Sequence, residues 1–136
     1  MIRLTAEGER VLRDAVAEIE MDLEHWDQDY YVNTEAILPG GACGTTCCLA
    51  GQIVVNELGI PLGKLREWTN TSGVSIAAKA MTLLQLYFDD EYSGVAGSFR
   101  ELIFNYTHVG PFALRSTPEN LKFLKERIAE VTGIEL

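Results

Sequence analysis

Residues 40–58, GGACGTTCCLAGQIVVNEL, decide how this chain is organised. Three glycines, at 40, 41 and 44, precede two threonines, and from Cys47 to Leu58 the only polar residues are Gln52, Asn56 and Glu57. A helix that is apolar almost all round is buried in the middle of a domain. Gln52 and Asn56 lie four apart, so on such a helix they form one narrow polar strip. Thr45 or Thr46 supplies an N-cap, Gly59 a C-terminal stop and Pro61 a break beyond it. The stretch therefore reads as a central helix over 46–58. All three cysteines, Cys43, Cys47 and Cys48, stand at its glycine-rich entrance.

Working outward, Thr5 caps a first helix of about residues 6–25, where Leu12, Ala15, Val16, Ile19 and Leu23 recur at helical spacing toward Trp26. Asp14, Glu18 and Asp22 form an acidic outer stripe, while Glu9 and Arg13 make a compensating pair. Residues 26–45 keep no sustained period. Tyr30, Tyr31 and Val32 suit a short strand, or a hairpin within 30–40, and Pro39-Gly40-Gly41 is a turn signal. After the central helix, LGKLREWTN reads as a short helical turn. Ile76, Ala77, Ala80, Met81, Leu84 and Tyr87 mark a long helix over 74–87. Asp89 and Asp90 cap a further helix carrying Val95, Phe99, Leu102, Ile103 and Tyr106, and THVGPFALRS is a loop. Thr117-Pro118-Glu119 is a helix start, Leu121, Leu124, Ile128 and Val131 its buried stripe, and Gly133 its end. The expected fold is mainly α: one domain over 1–136, a compact helical bundle of about five helices around a buried central helix.

At 136 residues the chain is long enough to bury roughly two-thirds of its unfolded surface. A net charge of −9 with no basic stripe repels phosphate backbones, which argues against nucleic-acid binding. No apolar run approaches the ~18 residues of a membrane span, and MIRLTAEGER has no signal-peptide core. The expected compartment is the cytoplasm, with reduced thiols. An odd count of three cysteines agrees with that, since it cannot complete a disulfide framework.

The order of Trp26, an irregular stretch, then Cys43-Gly44-Thr45 with Cys47, Ala50 and Gly51 resembles a group of small uncharacterised bacterial and bacteriophage proteins. These share a tryptophan followed by a Cys-Gly-Thr…Cys…Ala-Gly pattern. The likeness runs over about residues 26–88, and the group continues with a leucine-rich helix, here Met81 to Leu86. Cys48 stands outside the shared set. The resemblance implies a bacterial or phage origin and a fold; it lends no activity.

Four chemistries fit the Cys-Gly-Thr stretch. Buried cysteines and close-packing glycines can serve a purely structural role in an interaction or regulatory module. Free N–H groups at a helix start, preceded by Gly41 and Gly44 and flanked by Cys43, Thr45, Thr46 and Trp26, form a nest for a small anionic ligand. No P-loop lysine is present, so nucleotide hydrolysis is not indicated. Cys47 or Cys48 in a first helical turn, with His108 as base, would make a cysteine-dependent hydrolase. Cys43, Cys47 and His25 could bind zinc, although the second cysteine pair of a structural site is missing. The balance favours a non-enzymatic binding or regulatory protein without a cofactor. It would take a small anionic molecule or a protein partner at 40–48, and the cysteine hydrolase is the alternative. Oligomeric state is not legible.

Overall fold

The structure, a computed structural model, describes residues 2–27, 31–37, 43–86 and 117–136. Helix α1 spans Ala6–Met21 and leads into a 3-10 turn at Leu23–His25. Strands β1 (Asn33–Ile37) and β2 (Cys43–Thr46) pair antiparallel. Helix α2 runs over Leu49–Leu58, followed by a 3-10 turn at Leu62–Lys64 and helix α3 at Leu65–Ser72. Helices α4 (Ile76–Leu83) and α5 (Pro118–Thr132) complete the described elements. The fold is mainly α, with a two-stranded sheet beside the helices. Five α-helices lie among the described residues, but they are not the expected five. The 62–72 stretch contributes a full helix, whereas the helix expected after Asp89 and Asp90, together with Tyr87 and the THVGPFALRS loop, falls outside the described residues.

The helix ends follow local chemistry. Thr5, Ser75 and Thr117 cap α1, α4 and α5 by accepting the N–H groups of Gly8, Ala78 and Asn120. Gly59, Gly73 and Gly133 close α2, α3 and α5 at φ of 64°, 70° and 76°, the left-handed region where a Cβ is disfavoured. The expected stripes are buried at Leu12, Ala15, Val16 and Ile19 on α1, at Ile76, Ala77, Ala80 and Met81 on α4, and at Leu121, Leu124, Ile128 and Val131 on α5. Helix α1 stops at Met21, short of the expected residue 25, leaving Leu23 partly buried in the 3-10 turn, and α4 spans Ile76–Leu83 within the expected 74–87. Helix α2 packs between α1 and α4, and Ile53 and Val54 are wholly inaccessible to solvent. On its polar strip Gln52 Nε2 donates to Asn56 Oδ1 at 2.8 Å.

The central segment departs from expectation at its start. The helix begins at Leu49, not at residue 46, and neither Thr45 nor Thr46 caps it; Cys48 stands at the N-cap without a side-chain capping bond. Two β-branched threonines suit a strand, and β2 gives their backbone a partner in β1. Cys47 is then committed on both sides. Its N–H donates to His25 O and its carbonyl accepts from Asp27 N, each at 3.0 Å, so Trp26 and Cys47 form a parallel bridge. Strand β1 likewise begins at Asn33, past Tyr31 and Val32, and Val32 is drawn into the core. Pairing of Asn33 with Thr46 but Ala36 with Gly44 places one extra residue on β1, a β-bulge.

On the outside of α1, Arg10 is shared by Glu7, Asp14 and Glu57, at 2.7, 2.7 and 2.6 Å, joining α1 to α2. Arg13 meets Glu9, and Lys125 of α5 reaches Glu20. The acidic face expected on α1 is thus partly neutralised by basic side chains of α1 and α5.

Val54→Asp tests the central position of α2. It places an unpaired carboxylate in the core and is expected to cost about 3–5 kcal/mol, read as loss of the thermal transition or a large fall in Tm. A melt like that of the unmodified chain would mean that α2 is not the packed centre.

Candidate functional site

The Cys-Gly-Thr segment is folded into the framework. Cys43 and Gly44 lie on β2, paired with Ile37 and Ala36. Thr45 is half-buried, and Thr46 is 4% exposed with its Oγ1 lacking a hydrogen-bond partner among the described residues. Leaving a hydroxyl unsatisfied in this way costs about 1–3 kcal/mol. Trp26, Cys47 and Cys48 are each 1% exposed. Gly41 and His108 lie outside the described residues. The anion nest expected at a helix start over 40–46 therefore has a different frame: β2 occupies 43–46, and the helix opens three residues later, behind two buried cysteines.

Gly51 sets the spacing of this region. A Cβ there would stand 2.6 Å from Cys47 Cβ, 2.6 Å from the Tyr31 carbonyl oxygen and 3.2 Å from Cys47 Sγ. The first turn of α2 thus lies directly against the bridge residue and the chain entering β1, an approach open only to glycine.

The thiols are shifted away from reactivity. Burial pushes the Cys47 thiol well above its ordinary range, and the neighbouring Cys48 adds to the effect. Burial also raises Cys48, to about 11; the Gly51 and Ala50 N–H groups at the start of α2 favour its thiolate but do not offset burial. A helix N-terminus lowers a thiol pKa only where solvent or a cation helps to hold the charge. Cys47 is not in a first helical turn at all, because its backbone belongs to the bridge.

His25 approaches Cys47 through its backbone, while its ring turns outward. Nδ1 lies 2.7 Å from Asp22 Oδ1 and 3.8 Å from Glu24 Oε1. These three groups offer ligand atoms within 4.8 Å of one another. The groups that converge on the His25 ring among the described residues are thus carboxylates, mostly exposed. Exposed acids beside a histidine form such hydrogen bonds without any ion.

A second feature escapes the sequence reading. Beside the core, a cavity of about 340 Å³ is walled by Tyr31 and Val32 before β1, by Arg66 and Thr69 of α3, and by Ser75, Ile76 and Ala77 at the start of α4. Arg66 is exposed, and its Nη2 donates to Val32 O at 3.0 Å. It meets no carboxylate among the described residues, unlike Arg10, Arg13 and Arg127. Thr69 Oγ1 is buried without a partner among the described residues. One signal was available. Positions 62, 63, 69 and 70 are Leu, Gly, Thr and Asn, so Arg66 has no acid within helical reach.

Among the described residues no helix is long and apolar enough to cross a membrane. Comparison with protein-family models, with characterised proteins and with solved structures returned no match for this chain.

Two predictions follow from the packing of Gly51 against Cys47 and from the burial of Cys48. Helix propensity alone would make Gly51→Ala stabilising by about 1 kcal/mol, but the contacts at 2.6 Å reverse the sign. The expected outcome is a loss of roughly 1–3 kcal/mol in denaturant unfolding; a gain would show that the approach is loose. The second concerns pH. With its folded pKa about 11 against 9.0 when unfolded, Cys48 holds its proton more tightly in the native state. Its contribution is complete below pH 9.0 and is lost as pH rises toward 11. Over that window the unmodified chain should lose stability more steeply than Cys48→Ala; parallel curves would contradict the burial of this thiol.

Proposed function

We propose that this chain is a non-enzymatic binding or regulatory protein of bacterial or phage origin, which takes a small anionic molecule or a protein partner. The observation carrying this reading is the burial of Cys47 and Cys48, each 1% exposed and each with its thiol pKa raised. A nucleophilic cysteine must reach its substrate as a thiolate. Both requirements run against the packing of these two side chains. The origin rests on the Trp26, Cys43-Gly44-Thr45, Cys47 and Ala50-Gly51 pattern alone.

In this reading the chemistry of the segment is architectural. Threonines build β2, Cys47 bridges to the Trp26 backbone, and Gly51 allows α2 to close over the bridge. Binding then belongs to surfaces that this framework holds in place. The alternative, a hydrolase using Cys47 or Cys48 with His108, would need an opening that exposes a sulfur.

Thiol labelling separates the two. Native protein treated with iodoacetamide at pH 7.5 is expected to leave Cys47 and Cys48 unmodified while both react after denaturation, as read by peptide mass spectrometry. Rapid native labelling of either residue, abolished by His108→Ala, would overturn the binding reading in favour of the thiol enzyme.

A further inference from the structure

We propose that the cavity between the start of β1, helix α3 and the first turn of α4 binds a small carboxylate with an apolar body. This goes beyond the binding reading, on which it rests, by moving the site away from residues 40–48 and naming the ligand class. At about 340 Å³ the cavity lies within the range of small-molecule pockets.

Arg66 carries the argument. Arg10, Arg13, Arg127, Lys64 and Lys125 each meet a carboxylate. Among the described residues Arg66 meets none, as is also true of Arg3, Lys79 and Lys122, but of these four only Arg66 lines the cavity. Of the five N–H donors on a guanidinium, one goes to Val32 O, which anchors the group at the cavity wall. The remaining donors match the two oxygens of a carboxylate.

The start of α4, which also lines the cavity, adds complementary groups. Ser75 Oγ accepts from Ala78 N, so its own O–H is left to donate. Ile76 and Ala77, in the first turn of α4, carry N–H groups with no acceptor inside the helix. Thr69 also lines the cavity, and rotation about its Cα–Cβ bond would offer its unpartnered hydroxyl to a ligand. Val32, Ile76 and Ala77 supply apolar residues to the rest of the lining. One cation in a chain of net charge −9 suits a monoanion better than a doubly charged phosphate.

The test is an amide NMR titration of the full chain and of Arg66→Gln with benzoate, phenyl phosphate and benzyl alcohol. Glutamine keeps a donor for Val32 O, and the variant's own spectrum reports its fold. Benzoate is expected to bind saturably, perturbing amides at Val32 and 76–78, with affinity falling about tenfold or more in Arg66→Gln. Benzyl alcohol should be weaker by a similar factor. Equal benzoate affinity in the two proteins, no saturable binding, or shifts confined to 43–51 would overturn the site. Tighter binding of phenyl phosphate would overturn the carboxylate assignment. Native mass spectrometry of the purified chain tests the broader reading separately, because a co-purified ligand retained by Arg66→Gln would leave binding standing and this cavity wrong.

Discussion

The fold depends on one close approach. Helix α2 can lie against the chain entering β1 only because Gly51 has no side chain to strike Cys47 and the Tyr31 carbonyl. Cys47 in turn is fixed by two backbone hydrogen bonds to residues 25 and 27, which draw the end of the first helical segment beneath the hairpin. Trp26, the largest fully buried side chain, fills the space this junction encloses. A second contact of the same kind holds the far side. A Cβ at Gly8 of α1 would meet the Leu84 carbonyl oxygen at 2.5 Å, where α4 ends. Both contacts bring backbone against backbone at a helix's buried face, and dense interiors yield little to added volume.

What the amino-acid sequence disclosed tracks the range of the forces involved. Helix stripes and caps are local, and Thr5, Thr117, Gly59 and Gly133 can be read without knowing the fold; Ser75 and Gly73 obey the same local chemistry but emerge only with the structure. The burial of α2 is nearly local too, because its composition leaves few polar residues to face water. The start of α2 was not legible. Thr45 and Thr46 have the chemistry of N-caps, and only pairing with residues 33–37 and the bridge to Trp26 turns them into a strand. The same long-range contacts bury the cysteines, which cancels the lowering of thiol pKa that a helix N-terminus suggests. The cavity at Arg66 was equally hidden. Its walls come from three segments separated by more than thirty residues in the first gap, and no local spacing joins Tyr31 to Arg66.

Charge shows a similar division of labour. Arg10 gathers carboxylates from its own helix and from α2, Glu7 and Asp14 exposed and Glu57 half-buried. Such pairs add little each in water and are screened by salt. Their effect lies in orientation, since one cation binds Glu7, Asp14 and Glu57 at the crossing of the two helices. Arg66 performs a different task, anchoring the residue before β1 through a carbonyl rather than an acid.

The Trp26–Cys47 bridge also bears on the order in which the chain assembles. It closes a loop containing the 20 residues between them, and that loop contains both hairpin strands. Closing a loop becomes harder with its length, by about 0.6 kcal/mol for each doubling. Once β1 and β2 have paired, the stretch from 33 to 46 acts as a short cross-link, and the effective loop is roughly halved. The hairpin, closing within microseconds, is the cheaper first event, and the bridge follows at reduced entropic cost. Only then is the floor in place on which Gly51 can settle. A glycine that looks like a packing detail in the finished molecule thus has its contact surface assembled from chain segments that the bridge and the sheet bring together.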